Sequence, residues 1–271
     1  MKKKYLQIQK EYERLLKLKE KDLQYNYKEA YQELRKELQK IYDKYNVKGQ
    51  ISMDSLRKYN RMKKLDMETA YIMTQLYKNN KKVIRGLLQG IYNDTVRSSL
   101  KVVDNRLTIA AIQKTVDPTS VINAEVAGRI WVERINHYGN NFVYDIHSVI
   151  KQGIERGDTY TTMSNNLQKK FGKDLGNTQR IARTEGHRVL SVTRDEAMGE
   201  INKEIPLQKT WRTMADERVR GSHQAMEGVT IPYDDEFRLP SGARATAPTL
   251  SGDPAEDIGC RCYLEYAPIK E

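Results

Sequence analysis

Apolar residues recur along the first part of the chain at helical spacing. Tyr27, Tyr31, Leu34, Leu38, Ile41 and Tyr45 are separated by alternating steps of four and three, which puts them on one stripe of a helix. Upstream, Tyr5, Ile8, Tyr12 and Leu15 also step by three and four, but in a different phase. The seam is therefore expected to slip or break near residues 19–24. The stretch 46–50 (NVKGQ) ends this element, with Gly49 as a C-terminal cap. A second helical stretch starts at Ser52 or Asp54, both good N-cap residues, and runs with a break through Leu100. Asp117 followed by Pro118 marks another helix start. An amphipathic helix from Asn140 is stopped by Gly157, a short one over 158–172 is closed by Gly172, and a long one begins at Asn177 or Thr178.

After Glu204 the period changes. "LQKTWRTM" and "RVRGSHQAM" alternate as strands do, and six of the seven prolines lie beyond this point. The pattern predicts a mainly α protein with a small α+β C-terminal domain: long N-terminal helices, a helical body, and a short-stranded, loop-rich β-subdomain.

Composition narrows the classes. The chain has 271 residues, 38% of them hydrophobic, and its mean hydropathy is −0.77. No stretch approaches the roughly 20 apolar residues of a membrane span, and the N-terminus lacks the apolar run of a secretory signal. Two cysteines do not make a disulfide framework, so a reducing cytoplasm is the expected compartment. The net charge of +11 is concentrated: residues 1–64 hold 19 Lys and Arg against 9 Asp and Glu. Such a segment is an electrostatic footprint for a polyanion or an acidic protein face, or else a lysine-rich solvated helix. The candidate contacts are Lys2, Lys3, Lys4, Lys10, Arg14, Lys17, Lys19, Arg57, Lys58, Arg61, Lys63 and Lys64.

Three stretches carry side chains suited to chemistry. On a helix, "RIARTEGHR" places Arg180, Arg183 and His187 on one side and Glu185 and Arg188 on another. Glu185 can orient a base or pair with Arg188, and Gly186 in mid-helix admits close packing. If "DERVR" is extended, Asp216, Arg218 and Arg220 share one face, suited to binding an anion or to locking two segments together. His223 lies beyond Gly221, in a turn. Cys260 and Cys262 have several readings. With His223 they supply three zinc ligands, Asp253 or Asp257 being a fourth, but one residue between cysteines is not the usual two to four. A disulfide between them is strained. A cysteine nucleophile has His223 as its base. The simplest reading is two buried cysteines packed on Trp211, with Arg261 pointing the other way, and no tightly bound zinc.

The order of these motifs is more specific than any one of them. Arg183-Thr184-Glu185, then Trp211, then Asp216, Arg218, Arg220 and His223, then Cys260-Arg261-Cys262 resembles the phage head morphogenesis family, minor capsid proteins similar to protein F of phage Mu. The resemblance covers roughly residues 155–265. Gly259 stands where the family commonly has Asn. The chain divides accordingly into a basic, Tyr-rich helical region over 1–140 and a Mu F-like domain over 141–271, helical to about 204, with its β-subdomain over 205–271. The resemblance implies a non-enzymatic virion assembly protein of a tailed phage or prophage, without cofactor. Its partners would be the portal protein, capsid and scaffold components, and double-stranded DNA, and its place the bacterial host cytoplasm during assembly and then the virion, in the capsid interior or at the portal vertex. Some relatives carry a toxin domain after this one; none is expected before the chain ends at Glu271. The alternative is a small hydrolase or transferase using Glu185, His223 and Cys260 or Cys262. A site of paired, closed ions favours the first reading; an open pocket of unpaired groups favours the second.

Overall fold

A computed structural model of the chain describes residues 2–58, 60–100, 114, 116–126 and 128–269. Helices α1 (Lys2–Tyr45), α2 (Met53–Lys58), α3 (Arg61–Leu100), α4 (Pro118–Asn123), α5 (Trp131–Arg156) and α6 (Tyr160–Asn202) come first. The C-terminal part follows as β1 (Leu207–Arg212), α7 (Gly221–Gln224), β2 (Thr230–Pro232), β3 (Phe237–Arg238), β4 (Arg244–Ala245), α8 (Pro254–Asp257) and β5 (Tyr263–Pro268). The fold is mainly α with a small antiparallel C-terminal part. Its chain forms two compact units, one of residues 1–18, 84–131 and 180–271, the other of residues 19–83 and 132–179. Helices α1, α3 and α6 each contribute to both.

The expected slip in α1 does not occur; the helix is continuous. The residues it buries are Tyr5, Gln9, Tyr12 and Leu16, then Leu23, Tyr27, Ala30, Leu34, Leu38 and Tyr42. Counting Gln9 and Leu16 in place of Ile8 and Leu15 keeps one phase throughout. The apolar count failed because a buried glutamine occupies a stripe position. Gly49 is not a helix cap either: Lys48 and Gly49, with φ of 51° and 83°, form the two-residue turn between Val47 and Gln50. Ser52 does cap α2, its Oγ accepting from Ser55 N at 3.2 Å. Asp117 caps α4, its carboxylate accepting from Ser120 N at 2.7 Å.

Two further boundaries differ from the sequence reading. Helix α5 begins at Trp131, ahead of Asn140. The two helices expected over 158–201 are one, α6, of 43 residues, running through Gly172 and Gly176. Each glycine costs roughly 1 kcal/mol relative to alanine, but Phe171, Asp174 and Thr178 are buried on the same helix and hold it in register. In the second unit Phe142 and Phe171 meet edge to face at 5.0 Å, and Tyr27 joins Phe171 at 6.4 Å. Tyrosine hydroxyls of α1 donate to α6 and the turn before it: Tyr27 to Asp174 at 2.6 Å, Tyr31 to Ser164 O at 3.0 Å, and Tyr42 to Asp158 O at 2.7 Å.

In the first unit the sheet has the order β2-β1-β5, with Trp211 opposite Leu264. Strand β1 alternates as predicted, burying Leu207, Lys209 and Trp211. Lys209 is accommodated by aromatic faces, its ammonium 5.1 Å from the Tyr233 ring centre and 5.8 Å from that of Phe237. The core around it gathers Tyr5, Met198, Trp211, Phe237, Tyr263 and Tyr266 with both cysteines. "RVRGSHQAM" is not a strand. Residues 216–219 form a turn and 221–224 the short helix α7. Asp216, whose carboxylate accepts from the backbone N of Arg218 at 3.2 Å, folds the chain back locally and competes with extension.

Candidate functional site

The motif residues meet within the first unit, but not along a common strand face. Glu185 is fully buried on α6 and accepts from Arg188 Nε at 3.0 Å. Arg188 also donates through Nη2 to Ile122 O at 3.2 Å. One residue earlier, Thr184 Oγ1 accepts from Gly259 N at 3.3 Å, which joins the helix motif to the segment preceding the cysteines. Gly259 has φ of +72°, in the left-handed region that glycine and asparagine enter most readily. The backbone conformation, rather than a side-chain hydrogen bond, accounts for that position. Arg183 is exposed, and its carbonyl accepts from Tyr12 OH at 3.3 Å. His187, expected beside Arg180 and Arg183, is buried instead, within 3.1 Å of Gln9 Nε2. Burial above all, with the nearby Arg194 charge, pulls its imidazole down to about 3. Gly186 is needed here: a Cβ would meet Ile91 Cδ1 at 3.0 Å and the Tyr12 hydroxyl at 3.1 Å.

Asp216, Arg218 and Arg220 separate in role. Asp216 binds Arg261 through both carboxylate oxygens, Oδ2 at 2.6 Å, and this pairing holds its carboxyl below the ordinary range. Arg261 also lies 3.7 Å from Glu13 of α1. Arg218 is mostly exposed and sits 3.5 Å from Asp216. Arg220 donates to two backbone carbonyls, Glu256 O at 3.1 Å and Ile258 O. It thereby straps the α8 turn to the start of α7.

His223 is buried on α7. Its Nε2 lies 2.8 Å from Glu256 Oε2, and its Nδ1 lies 3.5 Å from Cys260 Sγ and 3.4 Å from Cys262 Sγ. Trp211 stands edge-on to the imidazole at 5.5 Å. Both cysteines are buried free thiols, and Arg261 between them points away. Hydrogen bonding between the thiols pushes Cys260 up and holds Cys262 down. Sequence reasoning missed Glu256 and pointed to its neighbours. Asp253 caps α8 by accepting from Ala255 N at 2.9 Å, and Asp257 accepts from Ser251 Oγ at 2.7 Å and Gly252 N at 2.9 Å. The Asp253-Pro254 cap was readable; that it aims Glu256 at His223 was not.

Of the basic candidates, Lys4, Lys10, Arg14, Lys17, Lys63 and Lys64 are exposed. Lys19 pairs with Asp22 at 2.9 Å, and Arg61 Nε donates to the Tyr45 hydroxyl at 2.9 Å. The side chains of Lys2, Lys3, Arg57 and Lys58 lie outside the described residues. No helix among the described residues is long and apolar enough to cross a membrane.

Residues 144–265 match the family described as Phage Mu protein F like protein. Minor head protein GP7 of Bacillus phage SPP1 is 27% identical, over 86% of this chain and 77% of its own length. The resemblance carried by the motifs therefore holds over the part that carries them, and the similarity to the SPP1 protein also reaches into the N-terminal helical region, which the sequence reading had matched to nothing. A second relative is the NAD(+)–arginine ADP-ribosyltransferase EFV of Enterococcus faecalis, 29% identical over 53% of this chain. The match takes in only 29% of that relative's length. No solved structure matches the chain.

Proposed function

We propose that this chain is a minor capsid protein of a tailed phage or prophage, a non-enzymatic factor of head morphogenesis. The observation that carries the reading is the similarity to a phage minor head protein over 86% of the chain. The site supports it: Glu185 is consumed by Arg188, Asp216 by Arg261 and His223 by Glu256, so the groups an enzyme would use are closed on one another. Thr184 ties the proline-rich C-terminal segment to helix α6, while the Asp216–Arg261 and His223–Glu256 pairs hold that segment together. The chain acts in the host cytoplasm during assembly and is carried in the virion. Its partners are the portal protein and other head components. The exposed face of α1 bearing Lys10, Arg14 and Lys17 contacts double-stranded DNA or an acidic portal surface.

Co-purification with the portal protein encoded beside its gene tests the assembly role, and failure of the two to associate would count against it. Binding to double-stranded DNA should weaken linearly in log affinity against log salt and vanish when Lys10, Arg14 and Lys17 become Glu. Binding unchanged by those substitutions would remove α1 as the contact. Incubating the purified chain with NAD+ and an arginine peptide should give no transfer; transfer would overturn the non-enzymatic part of the reading.

A further inference from the structure

We infer that His223, Cys260 and Cys262 form a metal site for Zn2+. Their three donor atoms lie within 4.8 Å of one another and all three residues are buried. Zinc binds thiolate sulfur at about 2.3 Å and imidazole nitrogen at about 2.0 Å with tetrahedral angles, so a nitrogen and a sulfur on one ion stand about 3.5 Å apart. The distances from His223 Nδ1 to the two sulfurs are 3.5 and 3.4 Å.

Hydrogen bonding to the ring can engage only one of the two thiols at a time. The Glu256 carboxylate also accepts from Ser222 Oγ at 3.0 Å, so it is an acceptor and His223 Nε2 carries the proton. Nδ1 then offers a single lone pair, and two thiols face it. A cation on that side satisfies the lone pair and both sulfurs together. The carboxylate behind the imidazole is the usual outer partner of a metal-bound histidine: it fixes the tautomer and turns Nδ1 toward the ion. Charge also balances, because two thiolates and a neutral imidazole around Zn2+ sum to zero, which suits a buried position.

The one-residue cysteine spacing, unusual for a zinc knuckle, fits the run into β5. Alternate side chains there face opposite ways, the two sulfurs toward His223 and Arg261 toward Asp216. The three donors join α7 to that run and so close the proline-rich loop between them. Three protein donors leave the fourth tetrahedral position to a water molecule.

The full chain purified from zinc-supplemented cells is expected to hold about one zinc per chain. Replacing zinc by Co2+ should give the thiolate-to-cobalt charge-transfer band and the intense visible bands of a tetrahedral cobalt site. Both cysteines should resist a thiol reagent under native conditions until a chelator is added. Cys260→Ala/Cys262→Ala should lose the zinc; a folded variant that kept it would place the metal elsewhere and overturn the inference. If that variant does not fold, the cobalt spectrum of the unaltered chain decides: a folded chain without metal and without thiolate bands has only a hydrogen-bonded thiol pair.

Discussion

In the unit of residues 19–83 and 132–179, tyrosine hydroxyls of α1 supply many of the polar contacts, Tyr27, Tyr31 and Tyr42 each reaching an acceptor on α6 or in the turn before it. In the unit that carries the C-terminal sheet, charges join the tyrosine hydroxyls: buried Glu185 with Arg188, part-buried Asp216 with Arg261, and Arg194 and Lys209 against aromatic rings. The two solutions differ in what a mistake costs. A tyrosine contributes most of its stabilisation through ring area, and its hydroxyl adds about 1 kcal/mol. A buried ion pair adds little over a well-packed apolar pair, but leaving one member alone is costly. Periodic apolar helices can rely on the first. The proline-rich segment has an aromatic core but only short strands and no repeating stripe to fix its register, so penalties for wrong placement help to define where it sits.

Breaking the charged side should show the largest effect. Glu185→Ala leaves Arg188 buried without its partner and is expected to destabilise by about 3–5 kcal/mol in denaturant unfolding. Glu185→Gln, which keeps shape and an acceptor, should cost less. Equal stability of Glu185→Ala and the parent would erase the contrast between the two units.

The pH dependence of stability should also come from the charged unit. His187 titrates near 6.5 when unfolded and is pulled down to about 3 by burial in the fold. The unfolded chain therefore takes up the proton first. This contribution is intact above the unfolded value and is lost as pH falls toward 3, by up to about 1.4 kcal/mol per pH unit. His187→Gln should show a shallower loss over that window in urea titrations at stepped pH; parallel curves would mean that His187 is not the group held neutral.

Smaller changes sharpen the comparison. Tyr31→Phe removes one part-buried hydrogen bond to Ser164 O and is expected to cost about 0.5–1.5 kcal/mol. Arg218→Ala should fall below about 0.5 kcal/mol, because its side chain is 65% exposed and its pairing with Asp216 is long. A clear loss of head assembly in Arg218→Ala, without loss of stability, would mark it as a partner contact.

The tyrosine-bearing helices were largely legible, since helical burial repeats and Tyr27, Leu34 and Leu38 announce the stripe. Gln9 hid the continuity of α1 because a polar residue at a stripe position looks like an interruption. Gly172 and Gly176 looked like helix ends because propensity is local, while the burial of Phe171 and Asp174 that overrides it is tertiary. In the C-terminal part β1 was legible by alternation, but the same alternation in "RVRGSH" misled, since Asp216 turns the chain through its own side chain. Glu256, Glu13 and Thr184 meet their partners across 33 or more residues, and no spacing rule encodes such pairs. Only the order of motifs hinted that they converge.

Native-state hydrogen exchange on the full chain and on Glu185→Ala tests the central claim, that the motif residues fasten helix α6 and the C-terminal sheet into one structural piece. The amides of Trp211 and Leu264 in the sheet and of Val189 and Ala197 in α6 should open with the same free energy in the parent chain, and Glu185→Ala should lower all of them together. A sheet that opens at lower free energy while α6 keeps its protection, or a variant that loosens α6 and leaves the sheet untouched, would show two independent pieces and contradict it.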